Sequence, residues 1–400
     1  MSIIAFIGSG NSGQAMAADC KLAGATVRMF EFEKYKNSVK ELMKHKKIEL
    51  WGPERNSKNY KRNGTASIDL ISTDLEEVIK GAKHVVFTTR ANLYEDAFKA
   101  AIPYLEDGQI ISLLPDNYGS LIFRRVMRQM NCTKKIIIGG WTSMPFGARI
   151  TYKGEDKNKV YVMYRAVQLR FDTLPSCDAN QYIEAMKDYP PLDTVRPIHG
   201  DTMLDIGFSN VNPILHVPAT VYNAGVIENW GVIADVGSKD VFFDIYRHGF
   251  SPSVSNIQWQ QYQEECAVAK ALGVGIEQYD KKIFCSRTSI LGPEFMGDGY
   301  MIPIDESIPG DQWMIYLKGE KFDLNSRYIT EDLPIGCKLY HELGKRAGVA
   351  TPMIDAMIQS ASVLTGTNYF TEGFSLELIG ISDLNNNELL DYLRNGVYKH

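Results

Sequence analysis

Short apolar blocks alternate with amphipathic segments along the first half of the chain, and this pattern predicts strands separated by helices. The first block, Ile3-Ile4-Ala5-Phe6-Ile7, is a β-branched run, followed by a predicted helix over 14–22 and a second strand over 26–30. Buried strands are also predicted at 84–89, 109–114 and 135–139, with helices at 94–104 and 121–129 between them. This alternation over about 140 residues predicts a doubly wound, mainly parallel sheet.

Other stretches of the first half have patterns of their own. A charged helix is predicted over 33–47, and the polar stretch 51–64 predicts a loop or an irregular hairpin. Residues 159–171 are β-branched or aromatic at many positions, so one or two antiparallel strands are expected to extend the sheet.

The pattern changes after the breaker cluster Asp188-Tyr189-Pro190-Pro191-Leu192, which is the predicted domain boundary. Helical spacing dominates beyond it, at 219–230, 255–272, 338–347 and 352–364. The clearest helix is expected to pack Ile257, Tyr262 and Ala269 inward. We therefore predict an α/β domain over 1–190 and a mainly α-helical domain over 191–400, with a Gly- and Pro-rich excursion at 292–311.

A glycine motif, Gly8-x-Gly10-x-x-Gly13, follows the first strand directly. The first glycine permits a tight turn, the second lets the backbone approach a pyrophosphate, and the third allows the helix to pack closely on the sheet. The N–H groups that open the helix then face the phosphates. A strand, a glycine turn, a helix and a second strand in this order predict a dinucleotide-binding Rossmann unit rather than an ordinary βα turn. The residues expected to contact the cofactor are Gly8, Ser9, Gly10, Asn11, Ser12, Gly13, Glu31 and Thr89.

Glu31 ends the second strand, at the position from which an acidic side chain accepts from the adenosine ribose hydroxyls. Its charge would repel a 2′-phosphate, which favours NAD, whereas Arg28, Lys34 and Lys36 nearby leave NADP open. Thr88, Thr89 and Arg90 follow a buried strand, at the sheet edge where open α/β folds bind ligands.

Composition excludes several classes of partner. The net charge is −5 with no basic block, so nucleic acid is not an expected partner, and the lysines at 44, 46 and 47 are interpreted as a solvated helix end. The six cysteines are scattered without metal spacing, which predicts a reduced protein without structural zinc. No apolar run is long enough to span a membrane and no signal peptide is recognised, so a soluble, cytoplasmic protein is expected.

His216 is the histidine whose setting most suggests chemistry. It follows a polar entry, 209–215, into the first helix of the second half. Spacing alone favours a buried histidine whose ring nitrogens are hydrogen-bonded within the core. His248 is a second candidate, although its Gly- and Pro-rich surroundings are also typical of a turn.

Several motifs together resemble the octopine/nopaline dehydrogenase family. They are the glycine motif, Asn210-Val211-Asn212-Pro213-x-x-His216, Gly249-x-Ser251-Pro252-Ser253, Leu324-Asn325-x-Arg327-Tyr328-x-x-Glu331-Asp332 and Val349-Ala350-Thr351-Pro352-Met353-Ile354-Asp355. The likeness covers nearly the whole chain in order, except for 51–64 and 292–311. It implies an enzyme that condenses an L-amino acid with a 2-oxo acid, often pyruvate, and reduces the product with NAD(P)H to a secondary amine dicarboxylate.

The resemblance also implies roles for three residues of the second half. By position, His216 is similar to the family's catalytic histidine, Asp332 to its carboxylate partner, and Arg327 to the group that holds the 2-oxo acid. Imidazole can pass a proton near neutral pH, a carboxylate fixes its tautomer, and guanidinium binds a carboxylate with two hydrogen bonds. Without the resemblance, Arg327 and Asp332 would be interpreted as a surface pair at a helix start, with the aspartate as N-cap.

Two other functions remain open at this stage. One is a 2-hydroxy acid or 3-hydroxyacyl dehydrogenase of the same architecture, and the other is an NAD-binding sensor without turnover. The small-molecule partners expected are an amino acid and a 2-oxo acid, and a homodimer is one assembly that the sequence allows. A basic amino acid would need carboxylates in its pocket, and an apolar one would need residues such as Trp230, Trp259 or Met296.

Overall fold

The computed structural model describes residues 2–52, 62–166, 168–234, 243, 245–284 and 322–398. The described residues form two compact units, one with residues up to 206 and from 387 on, and one with residues from 207 to 386. The first unit continues beyond the boundary predicted at residue 190, because the strand Arg196–His199 pairs in parallel with the strand Gln168–Thr173. The predicted excursion at 292–311 lies outside the described residues.

Strands occur in the first unit. In chain order they are β1 (Ile3–Ile7), β2 (Thr26–Phe30), β3 (Lys47–Trp51), β4 (Gly64–Ser67), β5 (Leu70–Ser72), β6 (His84–Phe87), β7 (Ile110–Leu113), β8 (Ile137–Trp141), β9 (Phe146–Lys153), β10 (Asn158–Arg165), β11 (Gln168–Thr173) and β12 (Arg196–His199).

Eight of these strands form one sheet, in the order β12-β11-β8-β7-β6-β1-β2-β5. In this spatial order, the six strands from β8 through β1 to β5 run parallel to one another. The strand β11 pairs antiparallel with β8. The chain turns to opposite sides of β1 when it forms β2 and β6, and ligands bind at such a switch point, beyond the carboxyl ends of the strands. Ile7 pairs with both Phe30 and Phe87, so the loops that follow these strands share one edge of the sheet.

A second sheet has the order β4-β3-β10-β9, and it corrects the prediction of a charged helix. The charged helix predicted over 33–47 is a 3₁₀ turn at Glu33–Val39 and a short helix at Lys40–His45, after which Lys46 adopts φ 55° and β3 begins. The strand β10 pairs with β3 on one side and with β9 on the other, whereas β11 extends the large sheet antiparallel to β8, as predicted for one strand near 159–171. The helix prediction is wrong because β3 pairs with β10, a contact between distant parts of the sequence.

The helices of the first unit connect these strands. They are α1 (Asn11–Leu22), α2 (Lys40–His45), α3 (Leu75–Ile79), α4 (Tyr94–Ala101), α5 (Gly119–Gln129), α6 (Ala179–Met186) and α7 (Met203–Phe208). The last of these crosses into the second unit at Gly207.

Helix α1 lies between the two sheets and is buried on all sides from Gly13 to Cys20. Its alanines allow this close packing, and Asp19 is the charged exception at 0% exposure. The Asp19 carboxylate is bound by Arg62, at 2.8 Å from Nε to Oδ1, and by Arg165 on β10. A buried charge requires such pairing, and here the pairing joins α1 to the small sheet.

The regular elements described in the second unit are helices. They are α8 (Asn212–Val221), α9 (Ala224–Glu228), α10 (Trp230–Ala234), α11 (Ile245–His248), α12 (Pro252–Leu272), α13 (Lys281–Phe284), α14 (Arg327–Thr330), a π-helical turn (Leu333–Cys337), α15 (Lys338–Ala347) and α16 (Pro352–Thr365). A last helix, α17 (Asn386–Asn395), belongs almost entirely to the first unit. A doubly wound α/β domain followed by a mainly helical domain is therefore confirmed.

The predicted boundaries of the long helices are closer to the observed ones than the predicted boundaries around residue 220 are. The prediction of one helix over 219–230 is wrong, because α8 ends at Val221 and Asn223 binds the carbonyl oxygens of Ala219 and Gly249 with its side chain. On α12, Tyr262 and Ala269 are buried as predicted, whereas Ile257 is half-buried.

Five cysteines are described, and all five are free thiols: Cys20, Cys132, Cys177, Cys266 and Cys337. Among the described helices, none combines the length and the apolarity that crossing a membrane requires.

Candidate active site

The glycine turn after β1 has the geometry of a dinucleotide loop. Gly8 adopts φ +115°, which favours glycine, and a Cβ on Gly13 would lie 2.1 Å from the carbonyl oxygen of Gly8. A Cβ on Gly10 would meet nothing within 4 Å. Thus Gly8 and Gly13 are required for the fold of the turn, whereas Gly10 leaves its backbone open to a ligand.

Glu31 is joined to this turn by hydrogen bonds. Its carboxylate accepts from the backbone N–H of Ser9 at 3.1 Å and from that of Phe32 at 2.9 Å. Glu31 is 9% exposed, so the acidic group is fixed at the end of β2, beside the loop. This is the place that the sequence assigns to an adenosine ribose acceptor.

Helix α1 begins at Asn11, three residues before its predicted start at Gln14, and its N-cap is Gly10. No side-chain hydrogen bond caps its N terminus among the described residues, so its first N–H groups suit an anion. The Asn11 side chain accepts from Ile150 N at 2.9 Å, which ties the turn to β9. Ser12 follows in the same first turn.

Gln14 is a residue of this site that sequence reasoning missed. Its amide donates to the Ser9 carbonyl at 2.8 Å and accepts from Asn158 of β10 at 2.9 Å. Both contacts are buried, so Gln14 holds the glycine turn against the small sheet. The sequence feature that could have indicated this role is a polar glutamine beside the alanines of the predicted helix.

Two threonines follow β6 at the same sheet edge. The Thr88 hydroxyl donates to the Gly8 carbonyl at 2.8 Å, which fixes the turn. The Thr89 hydroxyl is buried and has no hydrogen-bond partner among the described residues. A buried unpaired hydroxyl is costly, and a bound ligand would satisfy it. Together with the open Gly10 and the N terminus of α1, it fits a dinucleotide at this edge.

The second unit contains the predicted histidine and aspartate pair. His216 Nδ1 lies 2.7 Å from Asp332 Oδ2, although 116 residues separate them in sequence. Both are buried, at 6% and 9% exposure. A buried carboxylate on one ring nitrogen fixes the tautomer, which leaves Nε2 as the nitrogen for exchange with a substrate.

Two local features of the chain position this pair. Pro213 lies in the first turn of α8, where its fixed φ favours the helix, and His216 follows one turn later. Asp332 immediately precedes the π-helical turn, a distortion that often occurs at functional sites. A Cβ on Gly336 of that turn would lie 2.2 Å from Pro213 Cγ, so this glycine lets the two segments meet.

Asp332 occupies the N-cap position of the π-helical turn, but its side chain makes no capping hydrogen bond there. Its carboxylate binds His216 instead. Arg327 is different, because its guanidinium is 60% exposed and lies 3.1 Å from Glu331 in an i,i+4 ion pair. The segment thus directs Asp332 toward His216, whereas Arg327 is largely exposed to solvent.

Tyr328 makes a contact that sequence reasoning did not predict. Its ring stacks on the imidazole of His216, with centroids 3.8 Å apart and planes 20° from parallel. Tyr328 precedes Asp332 by four residues and lies in the same motif, Leu324-Asn325-x-Arg327-Tyr328-x-x-Glu331-Asp332. Its place in that motif is the sequence feature that could have indicated its role.

Four other described histidines have structural surroundings. His248 packs against Trp230 and Phe243, at 4.4 and 5.7 Å between ring centroids. His84 is buried on β6, and burial lowers its pKa to about 4. His199 lies 3.0 Å from Asp172, and His341 lies 2.6 Å from Asp355, which also accepts from Thr351.

The two tryptophans suggested for an apolar pocket belong to two hydrophobic clusters of the second unit. Trp230 belongs to a cluster with Phe243 and Ile245, whereas Trp259 packs against Tyr262 and Phe284. Met296 lies outside the described residues.

Two family models match the sequence in separate parts. Residues 3–114 match the N terminus of NAD-dependent glycerol-3-phosphate dehydrogenase. Residues 199–365 match the alpha-helical domain of NAD/NADP octopine/nopaline dehydrogenase.

Relatives of similar length support these matches. An opine dehydrogenase from Arthrobacter sp. (strain 1C) is 28% identical over 385 residues, which are 95% of either chain. Octopine dehydrogenase solved with NADH and L-arginine is 17% identical with a TM-score of 0.63, over 100% of this chain and 99% of that one. The same enzyme with NADH and pyruvate gives 0.62 over the same shares at 17% identity. Yersinopine dehydrogenase with NADP⁺ is 12% identical with a TM-score of 0.65, over 98% of this chain and 97% of that one. At these identities the solved structures establish the fold.

Proposed function

The chain belongs to the octopine/nopaline dehydrogenase family, and we propose that it condenses an L-amino acid with a 2-oxo acid, pyruvate foremost, and reduces the product to an opine. It is an NAD(P)-dependent oxidoreductase that acts on a CH–NH bond. The family resemblance and the cofactor class predicted from the sequence are confirmed.

The reaction needs a group that transfers protons to and from the carbonyl oxygen and the amine nitrogen. The amino group adds to the 2-oxo acid to give a carbinolamine, which loses water to form an imine. We assign both proton transfers to His216, because an imidazole can both accept and donate a proton and the Asp332 carboxylate holds its Nδ1 at 2.7 Å. When bound, NAD(P)H would supply the hydride for reduction of the imine carbon.

The 2-oxo acid also carries a carboxylate that needs a cation. Arg327 is the proposed partner, because a guanidinium can bind a carboxylate through two parallel hydrogen bonds. Glu331 lies 3.1 Å from the guanidinium and occupies part of its hydrogen-bonding capacity. The substrate carboxylate would therefore share Arg327 with Glu331.

NADH is the proposed physiological reductant. Glu31 holds a carboxylate at the ribose position of β2, and that charge disfavours the 2′-phosphate of NADP(H). The residues proposed to hold the dinucleotide are those predicted from the sequence: Gly8, Ser9, Gly10, Asn11, Ser12, Gly13, Glu31 and Thr89. The ratio of kcat/KM for NADH and NADPH measures this preference, and a ratio below one would contradict it.

One observation carries the catalytic part of the proposal, the buried contact of 2.7 Å between His216 and Asp332. The test is the initial rate of NADH oxidation with pyruvate alone, with each amino acid alone, and with both together. An opine dehydrogenase requires both substrates. Turnover with the 2-oxo acid alone would instead indicate a 2-hydroxy acid dehydrogenase. Tight NADH binding without turnover on any pair would indicate a sensor.

We also propose that the enzyme acts in the cytoplasm, which is supported by the five free cysteines of the described chain. Assembly as a homodimer stays a prediction, and sedimentation velocity would test it.

A further inference from the structure

The imidazole of His216 is held from two directions by one short segment. Asp332 binds its edge at 2.7 Å, and the Tyr328 ring covers one face at 3.8 Å between centroids. Residues four apart on a helical segment share a face, so both groups reach His216 together. The carboxylate alone would leave the ring free to rotate about that hydrogen bond.

Tyr328 is itself fixed by aromatic packing. Phe322 lies 5.5 Å from its ring, and Phe243 packs on Phe322 at 5.7 Å. Both belong to an apolar cluster of the second unit that also contains Ala219, which lies on α8 three residues after His216. The stacking surface is thus part of the packed helices, and ordering it adds little further entropy cost.

We propose that Tyr328 is a positioning residue, which holds the His216 ring in one plane. This inference rests on the proposed function of His216. Aromatic rings in contact prefer particular geometries, so the stacked tyrosine face resists rotation of the imidazole about its hydrogen bond to Asp332.

Other charged groups on the helices around α8 have partners of their own. Glu264 of α12 accepts from the backbone N–H groups of Met353 and Ile354, and Glu265 accepts from Gln261. Two further charged pairs lie on the elements that pack against α8: Arg327 of α14 pairs with Glu331, and Asp355 of α16 pairs with His341. Glu228 of α9 is exposed, and His248 of α11 packs against Trp230. Asp332 is the carboxylate with a described hydrogen bond to His216.

The test compares Tyr328→Leu, which removes the aromatic face, with Tyr328→Phe, which keeps it. Phe322→Leu is the matched control, because it disturbs the same cluster on the other side of Tyr328. The readouts are kcat and KM for both substrates, and the line widths of the His216 ring signals in NMR spectra of histidine-labelled enzyme, assigned with His216→Gln. Thermal unfolding selects the folded variants, and Tyr328→Met replaces Tyr328→Leu if the latter does not fold.

We expect Tyr328→Leu to broaden the NMR signals of the His216 ring, because the ring is no longer held in one plane, and to lower kcat about tenfold, with KM changed less than about twofold. Tyr328→Phe should restore both the sharp signals and kcat, and Phe322→Leu should leave the His216 signals unchanged. Unchanged His216 signals in Tyr328→Leu, or equal broadening in Phe322→Leu, would overturn the proposal. The NMR measurement does not depend on turnover, so it decides the role of Tyr328 even if no opine is formed.

Discussion

Gly336 and Pro213 approach each other so closely that no methyl group fits between them, since a Cβ on Gly336 would lie 2.2 Å from Pro213 Cγ. Gly336 lies in the π-helical turn that follows Asp332, and Pro213 lies one turn before His216. This contact therefore sets the separation of the two segments whose side chains meet at 2.7 Å.

Gly336→Ala should separate these segments. We expect a loss of about 1–3 kcal/mol in the free energy of unfolding, because the added methyl overpacks a buried contact. The kcat should fall more than tenfold, since a small displacement of a catalytic group is costly. Denaturant unfolding and steady-state kinetics measure the two effects. Gly225→Ala is the control, because a Cβ on Gly225 would meet nothing within 4 Å. Gly348→Ala is less suitable, because the positive φ of Gly348 would strain an alanine. Unaltered kcat in Gly336→Ala would contradict the role of this contact.

Asp332→Asn tests the carboxylate of the proposed catalytic pair. The amide keeps the shape but no longer fixes the tautomer of the His216 ring, so kcat should fall about 10²- to 10³-fold while NADH affinity is retained. Asp355→Asn is the matched control, because Asp355 forms a similar pair with His341 at 2.6 Å. Equal losses in the two variants would indicate a structural role for Asp332.

Glu331→Gln tests whether Arg327 receives the 2-oxo acid. The amide keeps an acceptor for the guanidinium but no longer competes as an anion, so KM for the 2-oxo acid should fall about threefold. KM for the amino acid should stay constant. Glu342→Gln, in the i,i+4 pair with Lys338, is the control. An increased KM for the 2-oxo acid would show that Glu331 is needed to orient Arg327.

Asp116 gives the stability of the first unit a dependence on pH. It is buried after β7 and accepts from Ser120 N at 3.0 Å, and burial raises its pKa from 3.8 to about 7. The folded chain therefore keeps a proton that the unfolded chain loses above about pH 4, so this group lowers stability as pH rises from about 4 to 7. Asp116→Asn should weaken that fall, and thermal unfolding at pH 5 and 7.5 measures it. Asp96→Asn, at an exposed site, should behave like the wild type. The same pH dependence in Asp116→Asn would contradict the assignment.

Local patterns were sufficient for the dinucleotide loop. The strand β1, the glycine turn and the strand β2 depend on neighbouring residues, so their sequence predicts their structure. The small sheet depends instead on the pairing of β3 with β10, more than 100 residues away. The residues of β3 alone do not distinguish a strand with such a distant partner from the end of a charged helix.

The pairing of His216 with Asp332 was predicted from motifs, not from periodicity. Spacing alone favoured a core histidine at His216, and the contact with Asp332 spans 116 residues. The stacking of Tyr328 on His216 and the role of Gln14 behind the glycine turn depend on side-chain packing between distant segments. Residue type and position in the sequence do not determine such contacts.

Transfer of deuterium from [4-²H]NADH tests the central claim most directly. The enzyme is supplied with pyruvate and a ¹⁵N-labelled amino acid, and the products are separated by mass spectrometry. Reduction of an imine places the deuterium and the ¹⁵N in one secondary amine dicarboxylate, and this is the predicted result. Deuterated lactate with the labelled amino acid unchanged would contradict it.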